Sequence, residues 1–129
     1  SDKEILSFVY NTFATLVKTN ADSFNRDTIC CLLIDSISEF AHALKSLLIS
    51  EEEYIQESGL ERSVIGFFRF VKIVLRNYDR IFTKDAPIPM ELLNALGSTI
   101  NSCLKNTEDI SCAAKKAGIE YSKISSEIN

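Results

Sequence analysis

Few residues in this chain have the type and spacing for chemistry. The single histidine, His42, lies four residues after Ser38 in a stretch of helical periodicity, so a hydroxyl and an imidazole share one helix face. Such a pair is the start of a nucleophile with its general base. On one polar helix face it has neither oxyanion donors nor a pocket, so His42 is read as a solvated side chain that titrates near neutrality. Glu51, Glu52 and Glu53 are consecutive and therefore diverge around a helix instead of converging on a cation. Together with Ser50 they read as a capping box at a helix start. No HExxH, EF-hand, P-loop or GxGxxG pattern occurs, and Gly59, Gly66, Gly97 and Gly118 are too dispersed to cradle a phosphate. The reading is of a non-enzyme with no catalytic, metal-ligating or cofactor-binding residue and no small-molecule substrate.

The four cysteines, Cys30, Cys31, Cys103 and Cys112, lack the CxxC spacing of zinc and redox sites. Free thiols in a reducing, cytoplasmic setting are the first expectation; a Cys103–Cys112 disulfide in a secreted protein is the rival. The first residues, Ser1-Asp2-Lys3, carry no signal- or transit-peptide pattern and leave the compartment open.

The elements that would position any site are helical. Apolar residues recur at the 3.6-residue period in five main segments, and no run fits strand alternation better. The first covers roughly 3–18 after an Asp2 cap, with Ile5, Leu6, Val9, Phe13, Leu16 and Val17 on one arc. The second covers roughly 27–49, with Ile29, Leu33, Ile37, Phe40, Leu44 and Leu47 inward. A short turn over 51–58 is expected to stop at Gly59. The third and central helix spans 60–84, where Val64, Phe67, Phe68, Phe70, Val71, Val74, Leu75, Tyr78, Ile81 and Phe82 cover roughly 160° of the surface. That arc is wider than the stripe of a helix lying on one side of a core. Pro87 and Pro89 break the chain, and Pro89 suits the first position of a fourth helix reaching about Lys105. Asn106 or Thr107 caps a fifth, whose first part ends near Gly118 and whose periodicity resumes through Tyr121, Ile124 and Ile128. The fold class is therefore all-α, a single-domain antiparallel bundle over 1–129 around the 60–84 helix. At 129 residues the chain can bury a core without metal or disulfide, and its 46% apolar and 25% charged content excludes general disorder.

Net charge is −4 but uneven. Arg62, Arg69, Lys72, Arg76, Arg80 and Lys84 stand together on the far side of the 60–84 helix, against only Glu61 and Asp79, while the remainder of the chain is acidic. This division argues against a dedicated nucleic-acid binder, which is basic over a whole face, and leaves a peripheral anionic membrane as a possible partner. Leu32, Ile65 and Ile73 fall off the main apolar arcs, the two isoleucines among the cations. With Arg69, Lys72, Arg76 and Arg80 they form the candidate interaction surface, suited to a partner helix or to a second copy of the chain.

Two stretches, Ala21-Asp22-Ser23-Phe24-Asn25-Arg26-Asp27 leading into Ile34-Asp35-Ser36-Ile37, and Leu96-Gly97-Ser98-Thr99-Ile100-Asn101-Ser102-Cys103-Leu104-Lys105-Asn106-Thr107, resemble the N-terminal domain of spider silk proteins (spidroins). The resemblance implies a secreted five-helix assembly domain that dimerises as pH falls. This chain departs from it in having no tryptophan, and Cys30 and Cys31 stand about where that family's acids are expected, so no functional residue is carried across. The functional expectation is a non-catalytic helical protein-interaction module, partner-binding or self-associating. The alternatives are a silk-type assembly domain, an anionic-surface binder acting through the basic stripe, and a fragment of a helical-repeat scaffold.

Overall fold

A computed structural model describes the backbone of residues 2–20, 25–49 and 60–128, and the side chains of those residues other than 2–6, 20, 41–49 and 60. The readings of His42, Leu44, Leu47, the Asp2 cap, the Ser50–Glu53 capping box and the Gly59 stop fall outside the described residues or side chains. All described regular structure is helical: α1 (Asp2–Asn20), α2 (Arg26–Ile49), α3 (Leu60–Arg76), the short α4 (Tyr78–Ile81), α5 (Met90–Ser102) and α6 (Glu108–Ile128). None of these helices is long and apolar enough to cross a membrane.

α3 lies between α1 and α6 and packs extensively against both, while α2 packs on α5 and α5 on α6. Its buried arc is wider than periodicity gives, because Ser63, Gly66 and Ile73 join the aromatic and aliphatic positions inside. At Gly66 a Cβ would stand 3.5 Å from the Ser7 carbonyl oxygen and Tyr10 Cβ, ordinary contact distances, so α1 passes directly over this position. Phe40 of α2 reaches the centre through its ring, 5.6 Å from that of Phe67 and 6.3 Å from that of Tyr10.

The expected helix over 60–84 is a correction: it stops at Arg76. The Asn77 side-chain amide donates to the Ile73 carbonyl at 2.8 Å, and its backbone N–H is shared between Ile73 and Val74. An asparagine that bonds its own preceding turn in this way offers the backbone an alternative to helix. After the single turn of α4 the chain is extended at Phe82 (φ −112, ψ 139), and Thr83 and Ala86 exchange backbone hydrogen bonds around Lys84. Arg26 holds the following loop. Its Nε donates to the Ala86 carbonyl at 3.0 Å, its Nη2 donates to that of Pro87, and its guanidinium lies 6.0 Å from the Phe82 ring centre.

Smaller corrections have local causes. α2 begins one residue earlier than the reading, with the Asn25 side chain accepting from the Asp27 N–H at 2.7 Å as an N-cap. Pro89 is the N-cap of α5, with Met90 first in the helix. Gly118 does not interrupt α6; it faces α5, where a Cβ would meet Ile100 Cγ2 at 3.3 Å, and a Cβ on Gly97 would come within 2.5 Å of the Tyr121 hydroxyl. The two glycines set the close approach of α5 and α6.

On α1, Val17 is buried as expected, but Leu16 is exposed and Tyr10 and Ala14 face the core instead. Tyr10 tolerates full burial because its hydroxyl donates to Ser36 Oγ, which in turn donates to the Leu32 carbonyl at 2.6 Å. Burial pushes the Tyr10 phenol above its ordinary range, with the Glu39 charge adding to the rise and the Ser36 hydrogen bond opposing it. Ser36→Ala strands that hydroxyl inside the core and is expected to cost about 1–3 kcal/mol. Tyr10→Phe leaves Ser36 bonded to Leu32 and is expected to cost about 1 kcal/mol or less. Urea titrations rank the two variants; the opposite order would show that this hydroxyl pair does not join α1 to α2.

Candidate functional site

The basic face of α3 is flanked by two shallow clefts that share Arg69 and Lys72. Toward α6, Ile65, Phe68 and Ala113 lie with Arg69, Lys72, Lys116, Asp109 and Cys112 around a cavity of about 350 Å³. Toward α1, Ala14 and Ile73 lie with Asn11, Thr15, Lys18, Arg69, Lys72 and Arg76 around one of about 320 Å³. Each cleft has an apolar component from the sides of packed helices and a cationic one from side chains on the solvent side. Residues 109, 112, 113 and 116 are spaced i, i+3, i+4 and i+7, which puts them on one face of α6 beside its buried stripe of Ile110, Ala114 and Ala117.

The cations are not equivalent. Arg76 Nε donates to Glu120 Oε1 at 2.9 Å, a carboxylate only 10% exposed that also has Lys123 at 3.6 Å. Arg69 Nη1 donates to the neutral Asn11 side chain at 2.8 Å, which fixes its direction without taking any of its charge. Lys72 and Lys116 have no ion-pair partner among the described residues. Partial burial pushes the Lys72 ammonium below its usual range, and Arg76, Lys116 and Arg69 add to the effect while Glu120 opposes it. Among the described residues, the α3–α6 cleft thus gathers three cations against the single carboxylate of Asp109 around an apolar floor.

The structure redistributes the residues singled out from the sequence. Arg69, Lys72 and Arg76 are together on this face, and Ile65 lines the α6 cleft, half-buried. Ile73 is only 9% exposed and contributes a narrow apolar edge to the α1 cleft. Leu32 is likewise packed against the core on α2 and lines neither cleft. Arg80 stands on α4, in a separate cavity of about 690 Å³ with Glu120, Lys123 and Glu127. Sequence reasoning missed Lys18, Asn11, Asp109, Cys112, Ala113 and Lys116. Their helical spacing was readable, but which helix they would face was not. The large apolar side chains most exposed to solvent are elsewhere, led by Phe8 at 72% and Ile119 at 59%.

The cysteines follow the first expectation, free thiols, and the rival Cys103–Cys112 disulfide is absent. All four thiols are free; Cys103 is buried at the C-cap of α5 and Cys112 is exposed on α6. Among the described residues no group of His, Cys, Asp and Glu is placed to hold a metal ion.

The fold defines an all-α protein with a mixed cationic and apolar cleft beside its central helix. No family model, curated protein or solved structure matches the chain.

Proposed function

We propose that this protein is a non-catalytic interaction module that docks an acidic amphipathic helix of a protein partner on the α3–α6 cleft. The observation that carries the reading is the pair Lys72 and Lys116, neither with an ion-pair partner among the described residues, brought together on facing helices over the apolar floor of Ile65, Phe68 and Ala113. Gathering like charges is unfavourable in the free protein, and a partner carboxylate relieves it. The floor supplies what a purely ionic contact lacks, an apolar strip for the i, i+3, i+4 anchors of an amphipathic helix. A flat anionic membrane fits less well, since Asp109 stands on the same face and would meet it with like charge.

The probe is a labelled synthetic helix of roughly five turns, with glutamates on one stripe and leucines on the next, read by fluorescence anisotropy. Lys72→Glu and Lys116→Glu are each expected to weaken its binding by about tenfold or more, and raised salt should weaken it further. Lys105→Glu, on the turn after α5, serves as the control. Unchanged binding in both cleft variants would sink the assignment, as would tighter binding to phosphatidylserine vesicles than to the peptide.

A further inference from the structure

The charge in the α3–α6 cleft exceeds what one carboxylate can neutralise. Among the described residues, Arg69, Lys72 and Lys116 face Asp109, which leaves an excess of two positive charges over a cavity of about 350 Å³. Neither lysine has an ion-pair partner among the described residues, and Arg69 is aimed by a neutral amide that takes none of its charge. A glutamate in a docked helix satisfies half of that excess. A phosphomonoester carries about −1.5 to −2 at neutral pH, with three acceptor oxygens for converging donors.

We infer that the cleft seats a phosphorylated serine or threonine of the docked segment, with the dianion between Lys72 and Lys116 and within reach of the Arg69 guanidinium. This rests on the docking reading above and sharpens it, making the partner's phosphorylation the switch for its affinity. The apolar floor favours a phosphopeptide over a phospholipid headgroup, because a peptide brings a side chain to cover Ile65 and Ala113 whereas a headgroup leaves them wet. Burial first, and then the neighbouring Arg76, Lys116 and Arg69 charges, lower the proton affinity of Lys72, and an anion seated beside it would oppose that effect.

The test compares the acidic helix with the same peptide carrying phosphoserine in place of its central glutamate, at about pH 7 and about pH 5, on either side of the phosphate second ionisation near 6. The charged and titratable groups around the seat are Lys18 from α1, Arg69, Lys72 and Arg76 from α3, and Asp109, Cys112, Lys116 and Glu120 from α6. The second ionisation of the phosphate falls inside that window. The phosphopeptide is expected to bind about tenfold tighter at the higher pH and to lose most of that gain at the lower. Inorganic phosphate should compete, and the double variant Lys72→Gln with Lys116→Gln should abolish the gain while melting as the parent does.

Equal binding of the two peptides overturns the phosphate seat and leaves the docking reading standing. Absence of binding by either peptide overturns both. A phosphate gain that survives in the double variant overturns the assignment to these lysines, and stronger binding to phosphatidic acid vesicles than to the phosphopeptide overturns the peptide as the source of the phosphate.

Discussion

Phe67→Ala is expected to destabilise the fold by about 3–5 kcal/mol, a large share of the roughly 5–15 kcal/mol that holds a typical domain together. Phe67 is 1% exposed and its ring meets three others: Tyr10 edge-on at 5.8 Å, Phe40 edge-on at 5.6 Å and Phe68 tilted at 5.5 Å. It therefore ties α1 and α2 to α3, and the cavity left by alanine opens at the junction of all three. Removing the ring also loses the edge-to-face contacts, each worth about 0.5–1.5 kcal/mol beyond burial. Phe67→Leu keeps most of the volume but loses both edge-on contacts, and should cost about 1–3 kcal/mol. Phe8→Ala, at a position 72% exposed, should fall within about 0.5 kcal/mol of the parent. Guanidinium unfolding midpoints decide among these, and a Phe67→Ala loss below about 1 kcal/mol would contradict the aromatic junction.

Thiol labelling is expected to divide the four cysteines into two fast and two slow. Cys31 and Cys112 are exposed and should react within the mixing phase of a disulfide-reagent assay; Cys30 and Cys103 are buried and should wait for unfolding. Burial pushes the Cys103 thiol up to about 12 from an ordinary 9.0, which lowers its thiolate fraction near neutrality by about a thousandfold. The Cys30 thiol is also raised, by burial first and by Asp27 and Cys31 in smaller part, with Arg26 opposing. These raised values carry a pH dependence of stability. Above about pH 9 the unfolded chain gives up the Cys103 proton while the folded chain keeps it until about 12, so stability falls as pH rises through that interval. Tyr10 acts in the same sense and Lys72, pushed down, in the opposite one. Unfolding titrations between about pH 8 and pH 11 should show the decline in the parent and a shallower one in Cys103→Ala. Four equally fast thiols, or a flat alkaline profile, would contradict the burial of Cys103.

The all-α class and most of the α3 core were legible because helical periodicity is a local property: side chains three and four apart share a face whatever the rest of the chain does. Val64, Phe67, Phe68, Phe70, Val71, Val74 and Leu75 were all placed inward on that ground, and all are buried. Periodicity cannot see a competing hydrogen bond, so it ran α3 on past Asn77, whose side chain closes back on Ile73. Nor can it see a partner that makes a polar group buriable, which is why Tyr10 was left off the inner face of α1 while Leu16 was put on it; Ser36, twenty-six positions away, reverses the two.

The candidate site divides along the same line. The basic stripe of Arg69, Lys72 and Arg76 followed from their spacing on one helix, since position along a helix fixes angular position around it. That Ile73 is nearly buried in the α1 cleft while Ile65 is half-buried in the α6 cleft depends on where α1 and α6 lie, and that Lys116 stands near Lys72 depends on how two segments distant in the chain pack together. The sequence by itself determined which residues share a helix face. Only the tertiary structure decided which faces meet, because the packing of α1 and α6 against α3 is what converts a stripe of cations into a cleft with an apolar floor.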